Sequence, residues 1–202
     1  MPNINVLVIE DEPIIAQNIK KILNNMDFSV AGIAYNSTRA LDMLASRNPD
    51  AVLLDITIKG DKDGIDLAEI INEKYKIPFI YLTAHSDEMT LERAKMTLPY
   101  GYIVKPFKEK DLLAGLEMAV YKHAQENKSP FPTREKLNEE LLSPITEKEF
   151  DLLMDISEGL TNHQIAEKHG NSINTIKYHL KNLFQKMDVI NRSSAIRMIL
   201  NK

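Results

Sequence analysis

Residues 6–12 read Val6-Leu7-Val8-Ile9-Glu10-Asp11-Glu12, four apolar residues running straight into three acids. An apolar run of this length with no alternation is what a strand covered by helices on both faces requires. Working outward, similar β-rich runs occur at residues 5–9, 29–34, 51–54, 78–82 and 102–104. Stretches with helical spacing separate them, at residues 13–25, 37–46, 64–75 and 86–97, and a fifth follows at 109–124. Strand and helix in alternation build βα units on a parallel sheet. The expected fold is α/β, a doubly wound five-stranded parallel sheet that ends near residue 124.

The pattern then changes. Residues 125–143 read QENKSPFPTREKLNEELLS, polar and with two prolines close together, so a linker over 125–141 with one short helix is expected. Beyond it the chain carries helical signals only. Thr146 with Glu149, and Thr161 with Gln164, fit the capping box, in which hydroxyl and acid or amide satisfy the first helix donors reciprocally. Further helices are expected to begin at Ser172 and Ser193. The expected division is 1–124, 125–141 and 142–202.

Charge is uneven along the chain. Residues 1–124 hold 14 basic and 18 acidic residues, residues 125–202 hold 11 of each with the acids early, and residues 160–202 hold seven basic and two acidic. An acidic front and a basic tail point to different partners, the tail's a polyanion. The absence of cysteine excludes disulfides, thiolate metal sites and a cysteine nucleophile. No apolar run approaches the roughly 18–20 residues that span a bilayer. The first residues, MPNINVLVIEDEP, do not read as a signal peptide. No membrane association and a cytoplasmic location are expected.

In open α/β sheets, ligands bind beyond the carboxyl ends of the strands. Those ends carry Glu10, Asp11 and Glu12, then Asp55, then Thr83, then Lys105 and Pro106. Converging carboxylates repel one another and call for a cation between them. Oxygen ligands with no His or Cys nearby favour Mg²⁺. Glu12 alone reads as a helix N-cap or first-turn residue.

On the motifs VLVIEDE, AVLLDI, FIYLTA and GYIVKPF, residues 4–124 resemble the receiver domain of two-component response regulators, a flavodoxin-like fold. The resemblance implies that Asp55 is the phosphoacceptor. It implies that Glu10, Asp11, Asp55 and the backbone carbonyl of Thr57 hold Mg²⁺. Lys105 and Thr83 would act on the phosphoryl group, and Thr83 and Tyr102 would form the switch. A carboxylate is a competent nucleophile for phosphorus, and metal and lysine neutralise charge as the group transfers. Three departures stand out. Glu10 replaces the commoner Asp, the loop from Asp55 to Gly64 is one residue longer than usual and lacks its proline, and His85 occupies a position that tunes dephosphorylation. Haloacid-dehalogenase-like phosphatases also use an aspartyl nucleophile, but they need a second Asp two residues on, where this chain has Thr57.

Residues 159–192, GLTNHQIAEKHGNSINTIKYHLKNLFQKMDVINR, resemble the LuxR/NarL-type helix-turn-helix. In the second helix Ile176, Leu180, Leu183, Phe184 and Met187 share one face. Asn174, Tyr178, Lys181 and Gln185 point the other way, with Lys177 on the flank. Such a face suits a major groove, where lysine meets guanine or phosphate and Asn pairs with adenine. The resemblance places base contacts on Lys177, Tyr178 and Lys181. His179 borders the apolar face as a packing residue. His169 and Asn171 are polar where the family is usually apolar, and a buried group without a partner there would cost roughly 1–3 kcal/mol. In the last helix Ala195 and Ile196 are expected in the core, with Ile199 and Leu200 free for core or dimer contact.

Together these features imply a small all-α helix-turn-helix domain beside the receiver. The expected function is a transcription factor phosphorylated by a sensor histidine kinase or a small phosphodonor. It would dimerise when phosphorylated, bind double-stranded promoter DNA, and perform no enzymatic reaction beyond phosphotransfer at its own Asp55. The rival reading is a receiver that signals by protein contact through a tail that does not read DNA.

Overall fold

The computed structural model describes residues 3–24, 28–84, 88–126 and 132–200, the side chain of Leu200 excepted. The chain forms two compact units, residues 5–123 and residues 124–202 with 1–4.

The first unit holds strands β1 (Ile4–Ile9), β2 (Phe28–Ala34), β3 (Ala51–Asp55), β4 (Phe79–Thr83) and β5 (Gly101–Val104). Helices α1 (Pro13–Asn24), α2 (Ser37–Arg47), α3 (Gly64–Ile70), α4 (Glu88–Met96) and α5 (Glu109–Glu126) connect or follow them. The strand order is β2-β1-β3-β4-β5, and β1–β3, β3–β4 and β4–β5 pair in parallel. Every residue of β3 and β4 is buried, which is why neither strand alternates in sequence. The order reverses between β1 and β3, the crevice where open α/β sheets place their ligands.

Register brings the acidic residues together. Ile9 lies beside Leu54, Asp55 beside Leu82, and Thr83 beside Val104. Backbone bonds then carry each chain one residue past its strand: Glu10 donates to Ala34, Ile56 to Leu82, and Lys105 to Thr83. Helix α3 starts unusually close to β3. A Cβ on Gly64 would lie 2.0 Å from the Asp55 carbonyl oxygen, so only glycine admits this approach. Asp63 caps α3, accepting from the Asp66 amide at 2.8 Å while Asp66 accepts from the Asp63 amide.

The helix expected over 64–75 is α-helical only to Ile70 and continues as a single π turn, Ile71–Tyr75. There the Lys76 amide donates to the Ile71 carbonyl, five residues back, and Lys76 takes a left-handed conformation that sends the chain into β4. The other element limits differ from expectation by one or two residues. Asn25, and His85 with Ser86 at the expected start of the fourth helix, lie outside the described residues.

The second unit contains α6 (Arg134–Asn138), α7 (Glu147–Ser157), α8 (Asn162–His169), α9 (Ile173–Lys186) and α10 (Arg192–Leu200). Both expected capping boxes form, on Thr146 with Glu149 and on Thr161 with Gln164. Leu137 of α6 is 1% exposed and joins the core of this unit, so the short helix in the polar stretch is a packed one. Asn138 fixes it by hydrogen bonds to both the amide and the carbonyl of Ile145. In α10, Ala195 and Ile199 are buried while Ile196 is only half-buried. The helix begins at Arg192, one residue before the expected start, and the pair four apart faces inward. Leu200's side chain lies outside the described residues.

Candidate functional site

Three carboxylates meet at the carboxyl end of the sheet. One oxygen each from Glu10, Asp11 and Asp55 lies within 4.8 Å of the others. Glu10 and Asp55 are buried and Asp11 is partly so. Lys105, reaching back from the end of β5, places Nζ 2.6 Å from Glu10 Oε2 and 2.6 Å from Asp55 Oδ2. The second Asp55 oxygen accepts from the Thr57 amide at 2.9 Å. Asp55 is thereby held between an ammonium and a backbone donor.

Glu10 completes the crowding. Its Oε1 accepts from the Glu12 amide at 3.2 Å, whereas Oε2 is paired with the Lys105 ammonium. Burial, with a smaller push from the Asp55 charge, raises its pKa to about 7 against the pull of Lys105. Burial acts against the Lys105 charge, but its bonds to Asp55 and Glu10 outweigh that and raise its pKa. Three carboxylates with oxygens this close, and no His or Cys among them, are the donor chemistry of a site for a hard divalent cation.

Thr83 is buried at the end of β4, and its carbonyl accepts from the Lys105 amide. Tyr102, on the edge strand β5, is 39% exposed, its ring centroid 5.6 Å from that of Tyr81. Thr57 faces Asp55 through its amide, the contact the structure shows for this residue. Glu12 sits just before α1, its carbonyl accepting from Ala16, which is the N-cap position. His85 lies outside the described residues. One residue escaped the sequence reading. Lys59, in the loop after β3, places Nζ 3.1 Å from Asp11 Oδ2. The extra length of that loop was its only trace in the sequence.

The helical unit carries a second candidate surface. Ile176, Leu180, Leu183, Phe184 and Met187 are all buried. Asn174, Tyr178, Lys181 and Gln185 are exposed on the opposite side of α9, with Lys177 and His179 half-buried at the flanks. Ser172 caps this helix and Gly170 turns the chain out of α8. His169 does not enter the core. Its Nε2 lies 2.6 Å from Asp155 Oδ2, and Lys168 donates to the other oxygen at 2.6 Å. Asn171 is exposed and donates to the His169 carbonyl. The polar departures in the turn therefore find partners, centred on a buried carboxylate in α7.

Comparison with known proteins gives the family of each part of the chain. The family described as response regulator receiver domain matches residues 6–117, and that of bacterial regulatory proteins, luxR family, matches residues 143–199. The probable transcriptional regulatory protein SgaR of Hyphomicrobium methylovorum is 29% identical over 197 residues, 96% of this chain and 92% of its own. The signal receiver domain of a modulated diguanylate cyclase from Desulfovibrio desulfuricans G20 superposes with a TM-score of 0.58. It is 31% identical and covers 60% of this chain and 97% of its own. The RcsB response regulator of Salmonella typhimurium, whose structure is described in terms of conformational dynamism for DNA interaction, gives a TM-score of 0.53. It is 26% identical and covers 98% of each chain. A doubly wound sheet with an acidic pocket at its switch point, followed by a LuxR-type helix-turn-helix, places this chain in the response regulator family, as a transcription regulator of receiver-plus-output architecture.

Proposed function

We propose that the chain is a transcription factor switched by phosphorylation of Asp55. The observation that carries this reading is the Asp55 carboxylate held between the Lys105 ammonium and the Thr57 amide, beside Glu10 and Asp11. An Asp55 oxygen attacks the phosphorus of a phosphohistidine on a sensor kinase, or of a small phosphodonor. The bond to the donor atom breaks as the acyl phosphate forms. Lys105 lies where phosphoryl oxygens gain charge, and Thr83 takes the hydrogen-bonding role at the end of β4. Tyr102 and Thr83 form the switch pair. These steps accept a phosphoryl group on the protein's own carboxylate and turn over no separate substrate.

Glu10, Asp11 and Asp55, with the Thr57 carbonyl, fit Mg²⁺ by their donor chemistry, and the close approach of the three carboxylates supports the fit. Mg²⁺ supplies charge neutralisation for the incoming phosphoryl group. We read residues 1–124 as receiver, 142–202 as output domain and 125–141 as the connection, with Leu137 packed on the output side. No described helix is long and apolar enough to cross a membrane, which accords with a cytoplasmic regulator. In the output domain Asn174, Lys177, Tyr178 and Lys181 meet promoter DNA in the major groove. Phosphorylation favours a homodimer that presents two such helices to two half-sites.

Phosphodonor labelling with and without chelator tests this directly. Labelling that needs Mg²⁺ or Mn²⁺ and disappears in Asp55→Asn is expected. Undiminished labelling in excess chelator would remove Glu10 and Asp11 as metal ligands.

A further inference from the structure

The loop after β3 crosses the mouth of the acidic site with a lysine in place. Lys59 is 76% exposed along its side chain, yet its Nζ lies 3.1 Å from an oxygen of Asp11, which is only 16% exposed. The ammonium therefore reaches in from solvent onto a largely covered carboxylate. Its backbone is not free to swing. The Ser37 amide, at the start of α2, donates to the Lys59 carbonyl at 2.8 Å, and the Lys62 amide donates to Ser37 Oγ at 3.4 Å. Gly60, with φ +127°, passes so close to Ser37 that a Cβ there would lie 2.1 Å from its hydroxyl oxygen. The loop is thus fastened to α2 at the Lys59 carbonyl and just beyond it.

The two lysines divide the three acids between them. Lys105 is buried and contacts Glu10 and Asp55, leaving Asp11 as the carboxylate that Lys59 covers. We propose that Lys59 is a tethered counter-cation that holds Asp11 until a divalent ion displaces it, and so sets the affinity of the acidic site for that ion. The proposal rests on reading Glu10, Asp11 and Asp55 as the cation site. An incoming ion that draws on all three acids must break the Lys59–Asp11 pair, while the retained positive charge nearby still opposes it. Lysine's flexible stem and full hydration allow the swing into solvent, so the penalty is small. Exposed ion pairs of this kind change an equilibrium by roughly two- to five-fold.

Mg²⁺ binding to the full-length protein, measured by titration calorimetry, tests this without reference to phosphorylation. Lys59→Ala and Lys59→Gln should bind Mg²⁺ roughly two- to five-fold more tightly than the parent, with the gap narrowing in high salt. Lys59→Arg should match the parent, because charge and not lysine itself is responsible. Asp11→Asn should bind more weakly than all of them. Equal or weaker binding in Lys59→Ala, with Asp11→Asn still impaired, overturns the proposal and leaves the cation site standing. A Lys59→Arg variant as tight as Lys59→Ala overturns it too. Asp11→Asn binding as well as the parent removes the cation site, and this proposal with it.

Discussion

Asp55 owes its position to three separate backbone facts: the end of β3, the amide of Thr57, and an α3 that begins at Gly64 against its carbonyl. Replacing it with Asn keeps the shape, so the fold should persist, with an unchanged far-ultraviolet circular dichroism spectrum, while phosphoryl acceptance disappears. A hydroxylamine-labile phosphoryl group still present on Asp55→Asn would place the acceptor elsewhere. Lys105→Ala should slow phosphotransfer by roughly 10²–10³-fold, the usual loss when one group stabilising the transferring charge is removed. It should leave Mg²⁺ bound, because the lysine competes for Glu10 and Asp55 and supplies no ligand. Lost Mg²⁺ affinity with unchanged transfer would reverse that role. Glu10, Asp11, Asp55, Thr83 and Lys105 were legible in the sequence because a parallel sheet gathers its strand ends, whatever the loops do. Lys59 was not, since its reach depends on a loop path fixed through Ser37 and Gly60, and no spacing rule encodes that.

Helix α9 shows what periodicity reads well. The five apolar residues expected on its inner face, Met187 just past its end included, are all buried, and Asn174, Tyr178, Lys181 and Gln185 are outside as expected. Lys181→Ala should therefore spare the core and act on DNA alone. A base contact would cost about 1–3 kcal/mol only at sites with the matching pair, and a phosphate contact would weaken all sequences and reduce the salt slope by about one. Lys177, half-buried at the flank, is expected to contact a base. Parent-like binding by both variants to specific and random fragments would exclude α9 as the reader. The helix is held by tertiary polar contacts that periodicity does not see. Lys186 at its end lies 2.7 Å from Glu149 at the start of α7. Burial would raise the Glu149 pKa, but Lys186 and the Thr146 donors outweigh it and hold it below the usual carboxylate range. A depressed folded pKa stabilises above the unfolded value, near 4.5, and that stability is lost as pH falls through the folded one. Glu149→Gln should thus unfold about 1–2 kcal/mol more easily at pH 7, with the gap closing below the ordinary carboxylate range. A gap independent of pH would mean that the ion pair contributes nothing. His169, polar where the family is usually apolar, is accounted for in the same way: its partner Asp155 sits on another helix, 14 residues away in the chain, where the 3.6-residue repeat does not reach. In α10 Ala195 is in the core as expected, Ile199, left open, joins it four residues on, and Ile196 is only half-buried because it lies off that stripe.

At the scale of the whole chain, the sheet unit is net acidic, and the net positive charge of the helical unit is confined to its part from residue 160 on. The sheet unit concentrates negative charge at a site built to take a phosphoryl group, and residues 160–202 carry seven bases against two acids. The division into a sheet unit and a helical unit was legible in the shift from alternating to purely helical signals. The packing of α6 was not, because one buried leucine in a polar, proline-bearing stretch leaves no period to read. Charge on the receiver has to bias a pre-existing equilibrium toward the form that pairs and binds DNA. The most direct test is the affinity of full-length parent and Asp55→Asn for genomic fragments the parent enriches, over a range of salt concentrations, with and without a small phosphodonor and Mg²⁺. The account predicts that the phosphodonor tightens binding of the parent to those fragments over random DNA, with a steep salt dependence, and leaves Asp55→Asn unchanged. Equal tightening in both proteins, or no preference for the enriched fragments in either state, would contradict it.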